Sequence, residues 1–152
     1  MKTIEEFCNR HGACDEAREW AVANCRTMAE VWEKAHPSWV VWVATRPGVL
    51  TDGELRLFAA SCARQVEHLL TDSRDRESVK VAYAQAAVRV AARTAYSVQF
   101  SASLAYVAAV YAAMATSDLS TTSNGGISAA YASIREDQAA WLHKHTSPDF
   151  GE

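Results

Sequence analysis

The stretch between Ser73 and Ser117 contains neither glycine nor proline, and this absence limits what the chain can form there. Nothing in the stretch interrupts a helix, and alanine, the strongest helix former, recurs throughout it. A single helix of this length would reach roughly 60 Å, which is longer than a domain of this size is wide. The sequence therefore predicts two helices, with a break between Arg93 and Ser97.

Residues 94–117 carry no formal charge. A run of roughly 20 apolar residues can span a bilayer, but Gln99, Ser101 and Ser103 interrupt this one. We therefore predict a central bundle helix at 98–116, whose small alanines let neighbouring helices approach closely. The facing surface could belong to this chain or to a second copy of it. Five larger residues follow a coiled-coil-like spacing that would face those neighbours: Phe100, Leu104, Val107, Tyr111 and Met114.

Three helix starts are indicated by capping boxes, in which a threonine precedes a glutamate by three residues. In such a box each side chain accepts a hydrogen bond from a backbone amide that has no partner within the helix. Gly12 is suited to end the first helix, and Pro37 suits the first turn of a short helix that ends at Pro47 and Gly48. The boxes pair Thr3 with Glu6, Thr27 with Glu30, and Thr51 with Glu54.

These signals predict an all-α protein with one domain over residues 1–152. We expect a bundle of about six or seven helices around the charge-free helix. The helix at 52–70 has the clearest apolar stripe, and a last helix at 127–145 precedes a tail that we expect to be disordered from about residue 147. Four residues of the stripe are predicted to be buried: Leu55, Phe58, Val66 and Leu69.

Overall charge and composition exclude several classes of function. The formal net charge of -3 gives no basic surface for a phosphate backbone, so we expect no nucleic-acid partner. The first residues include Glu5 and Glu6, where an export signal would have an apolar run, so we expect a cytoplasmic protein without a membrane partner. The sequence also shows no phosphate-binding glycine loop, zinc-protease signature or catalytic triad spacing. We therefore predict no catalytic residues and no cofactor.

Cys8, His11 and Cys14 form a Cys-x2-His-x2-Cys pattern, with Cys25 available as a fourth ligand. Thiolate and imidazole are the ligands that tetrahedral zinc prefers. However, this spacing is not that of a standard zinc knuckle, and free cysteines are among the residues most often buried. We favour buried thiols and no metal, with zinc as the alternative.

Two groups of charged residues are candidates for contacting a partner protein. The first group has five charged residues at a junction between two helices, where a solvated helix cap is the simpler interpretation. The second group lies on the acidic last helix. The candidates are Asp72, Arg74, Asp75, Arg76, Glu77, Glu136 and Asp137. Large aromatics can also anchor interfaces, although we interpret the following four mainly as core residues: Trp20, Trp32, Trp39 and Trp42.

The segment LRLFAASCARQVEHLLTDSRDRESVKVA, at residues 55–82, resembles a bacterial and phage family of Ala-rich helical proteins. The likeness extends to CDEAREWAVAN, WVVWV and the later Ala-rich tract. Members are commonly labelled immunity proteins, which neutralise a cognate toxin inside the cell by binding it. The resemblance implies a helical fold and a toxin as the partner.

The sequence therefore predicts a non-enzymatic protein that binds another protein. A structural or self-assembling helical protein, such as a homodimer, is the first alternative. An enzyme or a zinc-binding protein is less favoured, because no group of residues has the spacing that such chemistry needs.

Overall fold

A computed structural model of the chain describes residues 3–71, 79–94, 101–116 and 129–151. All regular structure within these ranges is helical, which confirms the predicted all-α multi-helix bundle. The helices are α1 (Ile4–His11), α2 (Asp15–Asn24), α3 (Met28–Lys34), α4 (Pro37–Ala44), α5 (Asp52–Val66), α6 (His68–Thr71), α7 (Val79–Thr94), α8 (Ser101–Thr116) and α9 (Ala129–His145).

The described ranges hold nine helices, more than the six or seven that the sequence predicted. Part of the difference comes from the predicted helix at 52–70, which is interrupted at Glu67. The first part of that helix is α5, and α6 is a single further turn. A short non-helical segment at Cys25 to Thr27 likewise separates α2 from α3.

Local hydrogen bonds define the helix starts much as the capping boxes predicted. The boxes of α1 and α5 are complete, and the Thr51 hydroxyl accepts from the Glu54 amide at 3.3 Å. At α3 only half of the box forms, because Glu30 accepts from the Arg26 amide instead of from the cap residue. Gly12 ends α1 with a left-handed φ of 68°, a conformation that favours glycine.

The apolar stripe of α5 faces the core, as predicted. Leu55, Phe58 and Val66 are buried, and Leu69, on α6, is partly buried against the same core. The Phe58 ring lies 5.8 Å from the ring of Trp141 on α9. Residues far apart in the sequence therefore meet across this stripe.

The charge-free helix α8 packs against α5, α7 and α9, which confirms its central position. The predicted contact face is wrong, however, because Leu104, Val107, Tyr111 and Met114 are only partly buried, and Phe100 lies outside the described residues. Alanines form the buried face instead, since their small side chains let helix axes come close together. These alanines are Ala105, Ala108, Ala109, Ala112, Ala113 and Ala115.

Residues 147–151 are packed onto the bundle, which corrects the expected disordered tail. The Asp149 amide donates to the Val49 carbonyl at 2.9 Å, and the Ser147 amide donates to Glu54 Oε1 at 3.0 Å. Phe150 is buried, with its ring 6.2 Å from that of Phe7. Burial of this aromatic ring offsets the entropy lost by ordering a short segment.

We expect Glu54→Gln to destabilise the protein by about 1 kcal/mol near neutral pH, a typical value for an N-cap. Burial raises the pKa of the Glu54 carboxyl, but hydrogen bonds from the Ser147 amide and from Thr51 outweigh burial and hold this pKa below its usual value. A lowered folded-state pKa stabilises the fold above the unfolded-state pKa, and that stability is lost as the pH falls through the folded value.

Urea unfolding over a series of pH values measures this effect. The difference in unfolding free energy between wild type and Glu54→Gln should shrink as the pH falls below about 4, where the unfolded carboxyl becomes protonated. Glu33→Gln, at an exposed position on α3, controls for the loss of one negative charge. A difference that stays constant down to strong acid would contradict the role assigned to the carboxylate.

Candidate functional site

The described part of the chain has an open groove beside α2 and α4. Two cavities, of about 290 Å³ and about 330 Å³, both border Ser38 and Trp39 and therefore adjoin. Glycine and alanine residues at the start of α2 line one side, which keeps the concavity open. We call this surface the aromatic groove, and its principal residues are Glu16, His36, Ser38, Trp39, Trp42 and Tyr106.

The groove follows from the sequence of α4. Its valines, among them Val40 and Val41, are buried in the core, whereas Trp39 and Trp42 are partly exposed. Residues three apart lie on the same face of a helix, so the two indoles point to the same side. The helix begins at Pro37, and the Nδ1 atom of the preceding His36 accepts from the Ser38 amide at 3.3 Å.

Helix α2 closes the groove only loosely. Of its residues, only Ala21 is buried. A narrow apolar gap between this helix and α4 is lined by Ala17, Trp20 and Trp39, among others. The ring centroids of Trp20 and Trp39 are 5.5 Å apart, and those of His36 and Trp39 are 6.1 Å apart. Three rings are therefore grouped around Trp39 beside the groove.

Arg46 lies against Trp42 and Tyr106, two aromatic residues that line the groove. We call the part of the groove beside these two rings its inner end, and the part bordered by Glu16 and His36 its outer end. The Arg46 guanidinium carbon lies 4.6 Å from the centroid of the Trp42 ring and 5.5 Å from that of Tyr106. The Nε atom also donates to the Trp42 carbonyl at 3.0 Å. Burial lowers the pKa of this guanidinium, an effect that Tyr106 opposes, and the aromatic faces supply part of the stabilisation that water would otherwise give.

The edge of the groove is acidic. Helix α2 carries the exposed acids Asp15, Glu16 and Glu19. Arg18, the one basic residue of α2, donates to the Asp15 carboxylate at 2.6 Å. Neither Glu16 nor Glu19 forms an ion pair with any described residue, so the negative charge of this edge is not neutralised.

The structure does not support the zinc alternative. Cys8 and Cys25 are buried, Cys14 is exposed, and the His11 ring lies 4.5 Å from the Phe7 ring. No three histidine, cysteine or acidic side chains of the described residues are grouped so that they could hold a metal ion. Burial also raises the pKa of the Cys8 and Cys25 thiols, which disfavours the thiolate that zinc requires.

The charged partner-binding candidates are only partly covered by the structure. Glu136 and Asp137 lie exposed on α9, and neither forms an ion pair with a described residue. They therefore remain available to a partner. The other candidates, Asp72, Arg74, Asp75, Arg76 and Glu77, lie outside the described residues.

A buried polar cluster on α9 has no counterpart in the sequence analysis. Arg135 is 3% exposed and Gln138 is 1% exposed. Arg135 Nη1 donates to Gln138 Oε1 at 3.0 Å, and Gln138 Nε2 donates to the Ala109 carbonyl of α8 at 3.1 Å. No described carboxylate pairs with Arg135, and its Nε atom lacks a hydrogen-bond partner there. Nothing in the sequence distinguishes Arg135 from a surface arginine.

The groove was also missed, although its signal was present in the sequence. The tryptophans were interpreted mainly as core residues. Trp32 is buried, and Trp20 and Trp42 pack partly buried against the core, but Trp20, Trp39 and Trp42 also remain partly exposed. Two tryptophans three apart on a helix that already has a valine face indicate a second apolar face. That face could have been identified as a contact surface.

No helix among the described residues is both long and apolar enough to cross a membrane. The chain has no match among protein-family models, curated proteins or solved structures. The resemblance of residues 55–82 to immunity proteins therefore stays an expectation drawn from sequence, and the geometry of the aromatic groove carries the functional argument.

Proposed function

We propose that this protein acts by binding another protein at the aromatic groove, and not by catalysing a reaction. The observation that carries the proposal is the pair of partly exposed indoles, Trp39 and Trp42, on a concave surface. Tryptophan is enriched among residues that dominate binding energy at protein interfaces, because its large apolar ring is buried when the partner seats.

The shape and charge of the groove support this function. The Arg46 guanidinium packs on the Trp42 ring and donates to the Trp42 carbonyl, and these contacts restrain the Trp42 indole. Little side-chain freedom would therefore be lost there when the partner binds. The acids of α2 would attract a partner of opposite charge, which mainly increases the rate of encounter. Glu136 and Asp137 on α9 form a second acidic surface and are the alternative place of contact.

The partner class that the sequence favours is a toxin, which this protein would neutralise as an immunity protein. Such an inhibitor needs only a complementary surface and no reacting groups of its own. Self-assembly is the second candidate. A symmetric dimer built on the groove would place the acids of α2 close to those of its copy, and like charges in an interface oppose association.

The test is to co-express this protein with the product of the gene beside its own and to record growth, complex formation and affinity. We expect a toxic neighbour to be neutralised. Trp39→Ala should weaken the complex about thirtyfold, which corresponds to about 2 kcal/mol, as expected for an aromatic anchor. Leu57→Ala is the matched control, because Leu57 is 61% exposed on α5 and does not line the groove.

Cys14 provides an independent measure of where the partner seats. It is the exposed member of the four free cysteines and lines the groove, so iodoacetamide should react with it first and a bound partner should protect it.

A complex in which Cys14 is alkylated at the free rate, and which Trp39→Ala forms with unchanged affinity, excludes the groove as the contact surface. If Glu136→Gln with Asp137→Asn breaks that complex, α9 is the contact surface instead. A chain that associates only with itself supports self-assembly.

A further inference from the structure

The Trp39 ring borders a cavity of about 330 Å³, and no described cation lies over this ring. The rings of Trp20 and His36 lie 5.5 Å and 6.1 Å from it. Each described cation that lies over a ring does so elsewhere, with Arg46 over Trp42 and Tyr106, and Arg135 over Tyr131. A concave aromatic surface of this kind attracts positive charge through the ring quadrupole.

Arg46 shows that a guanidinium fits this environment. Its guanidinium carbon lies 4.6 Å from the centroid of the Trp42 ring, and Trp42 is one helical turn from Trp39. No described carboxylate pairs with Arg46 there. The aromatic faces and a carbonyl acceptor are therefore enough to keep a cation at the inner end of the groove. The outer end has similar rings and in addition an acid.

Glu16 supplies a negative charge at this outer end. Its carboxylate borders the same cavity as His36, Ser38 and Trp39, and no described base pairs with it. His36 accepts a hydrogen bond at Nδ1 from the Ser38 amide. The cavity is therefore lined by one acidic residue, the Trp39 indole and an imidazole, and the Trp20 indole lies nearby.

We infer that the outer end of the aromatic groove binds an arginine or lysine side chain from a basic segment of the partner protein. The cation stacks on Trp39 and pairs with Glu16, while an adjacent apolar side chain contacts Trp20. This inference rests on the proposed function and adds the chemistry of the partner. A second copy of this chain is a poorer occupant, because the surface around the groove carries acids in both copies.

The probe is the acetylated and amidated peptide Gly-Lys-Leu-Arg-Gly-Lys-Leu-Arg-Gly, titrated into the full chain. One control peptide has glutamine at every lysine and arginine position, and another has glutamate there. Indole N–H resonances in NMR spectra report on each tryptophan, and the rate of Cys14 alkylation reports on occupancy of the groove. The basic peptide should shift the Trp39 and Trp20 resonances, slow alkylation, and bind about tenfold more tightly than the glutamine peptide.

Variants separate the contributions of ring and charge. Glu16→Gln should reduce the preference for the basic peptide by about fivefold, and added salt should reduce it further. Glu33→Gln is the matched control, since it removes one exposed acid from α3, away from the groove, and should leave the preference unchanged. Trp39→Phe keeps an aromatic face with a weaker quadrupole, so it should bind less tightly than wild type but more tightly than Trp39→Ala.

Four results would overturn the inference. The first is equal binding of the glutamine peptide, and the second is tighter binding of the glutamate peptide. The third is no shift of the Trp39 resonance with any peptide, and the fourth is a preference that is undiminished in Glu16→Gln. Equal binding of the neutral peptide leaves the groove as a contact surface, so the proposed function survives that outcome. Resonance shifts on simple dilution of the protein would identify a second copy as the occupant and reject both proposals.

Discussion

Phe58→Ala is expected to lower the free energy of unfolding by about 3–5 kcal/mol, because it removes a buried ring and leaves a cavity. Phe58 is fully buried on α5 and contacts the Trp141 ring of α9. Close packing on all sides limits how far the neighbours can relax into the space. A domain of this size has only about 5–15 kcal/mol of stability, so the variant should melt at least 8 °C or so lower.

The adjacent residue provides the control for this experiment. Leu57→Ala removes an apolar side chain from the same helix, but this side chain is 61% exposed. We expect its effect to stay within about 0.5 kcal/mol, as for other surface positions. Urea unfolding of both variants at one pH measures the difference. Equal effects at the two positions would mean that α5 presents a different face to the core.

Gln138→Leu is expected to cost about 2–3 kcal/mol, because it leaves buried polar groups without partners. Gln138 accepts from Arg135 and donates to the Ala109 carbonyl. Leucine fills most of the same volume, so the loss would come from hydrogen bonding and not from a cavity. Arg135, at 3% exposure, would retain its charge with fewer acceptors than before, which is costly in a low-dielectric interior.

A double-mutant cycle with Arg135→Met isolates this interaction. Replacing a buried charge by an apolar side chain of similar length is often neutral or stabilising, so Arg135→Met alone should lie within about 1 kcal/mol of wild type. In the Arg135→Met background, Gln138→Leu should lower the free energy of unfolding by about 1–2 kcal/mol less than it does in the wild-type background. Strictly additive effects would show that the two side chains are not energetically coupled. Glu136→Gln, on the exposed face of α9, should be neutral.

Local features of this fold could be predicted from the sequence because their energies depend on residues close together in the chain. The capping boxes at Thr3 and Thr51 and the glycine stop at Gly12 each involve hydrogen bonds that span only a few residues. The stripe of α5 repeats with the helical period, so its buried face could be identified before its neighbours were known. The all-α class follows from these signals together.

The tertiary structure alone decided which of several available faces was buried. On α8 nearly every side is apolar, so periodicity cannot select a face, and close approach of α5, α7 and α9 selected the alanines over Leu104 and Val107. The burial of Arg135 was likewise decided by tertiary structure, because this residue is buried only where α9 packs against other helices.

Sequence reasoning could have identified the exposed tryptophan face of α4, but not the groove that this face lines, for a related reason. The aromatic groove combines Glu16 from α2, Trp39 from α4 and Tyr106 from α8, and no short-range pattern records that these helices meet. The tail is held similarly, by a hydrogen bond from Asp149 to Val49. The sequence determined which segments are helical, because helix formation is local. Packing between distant segments decided what those helices bury and what they leave exposed.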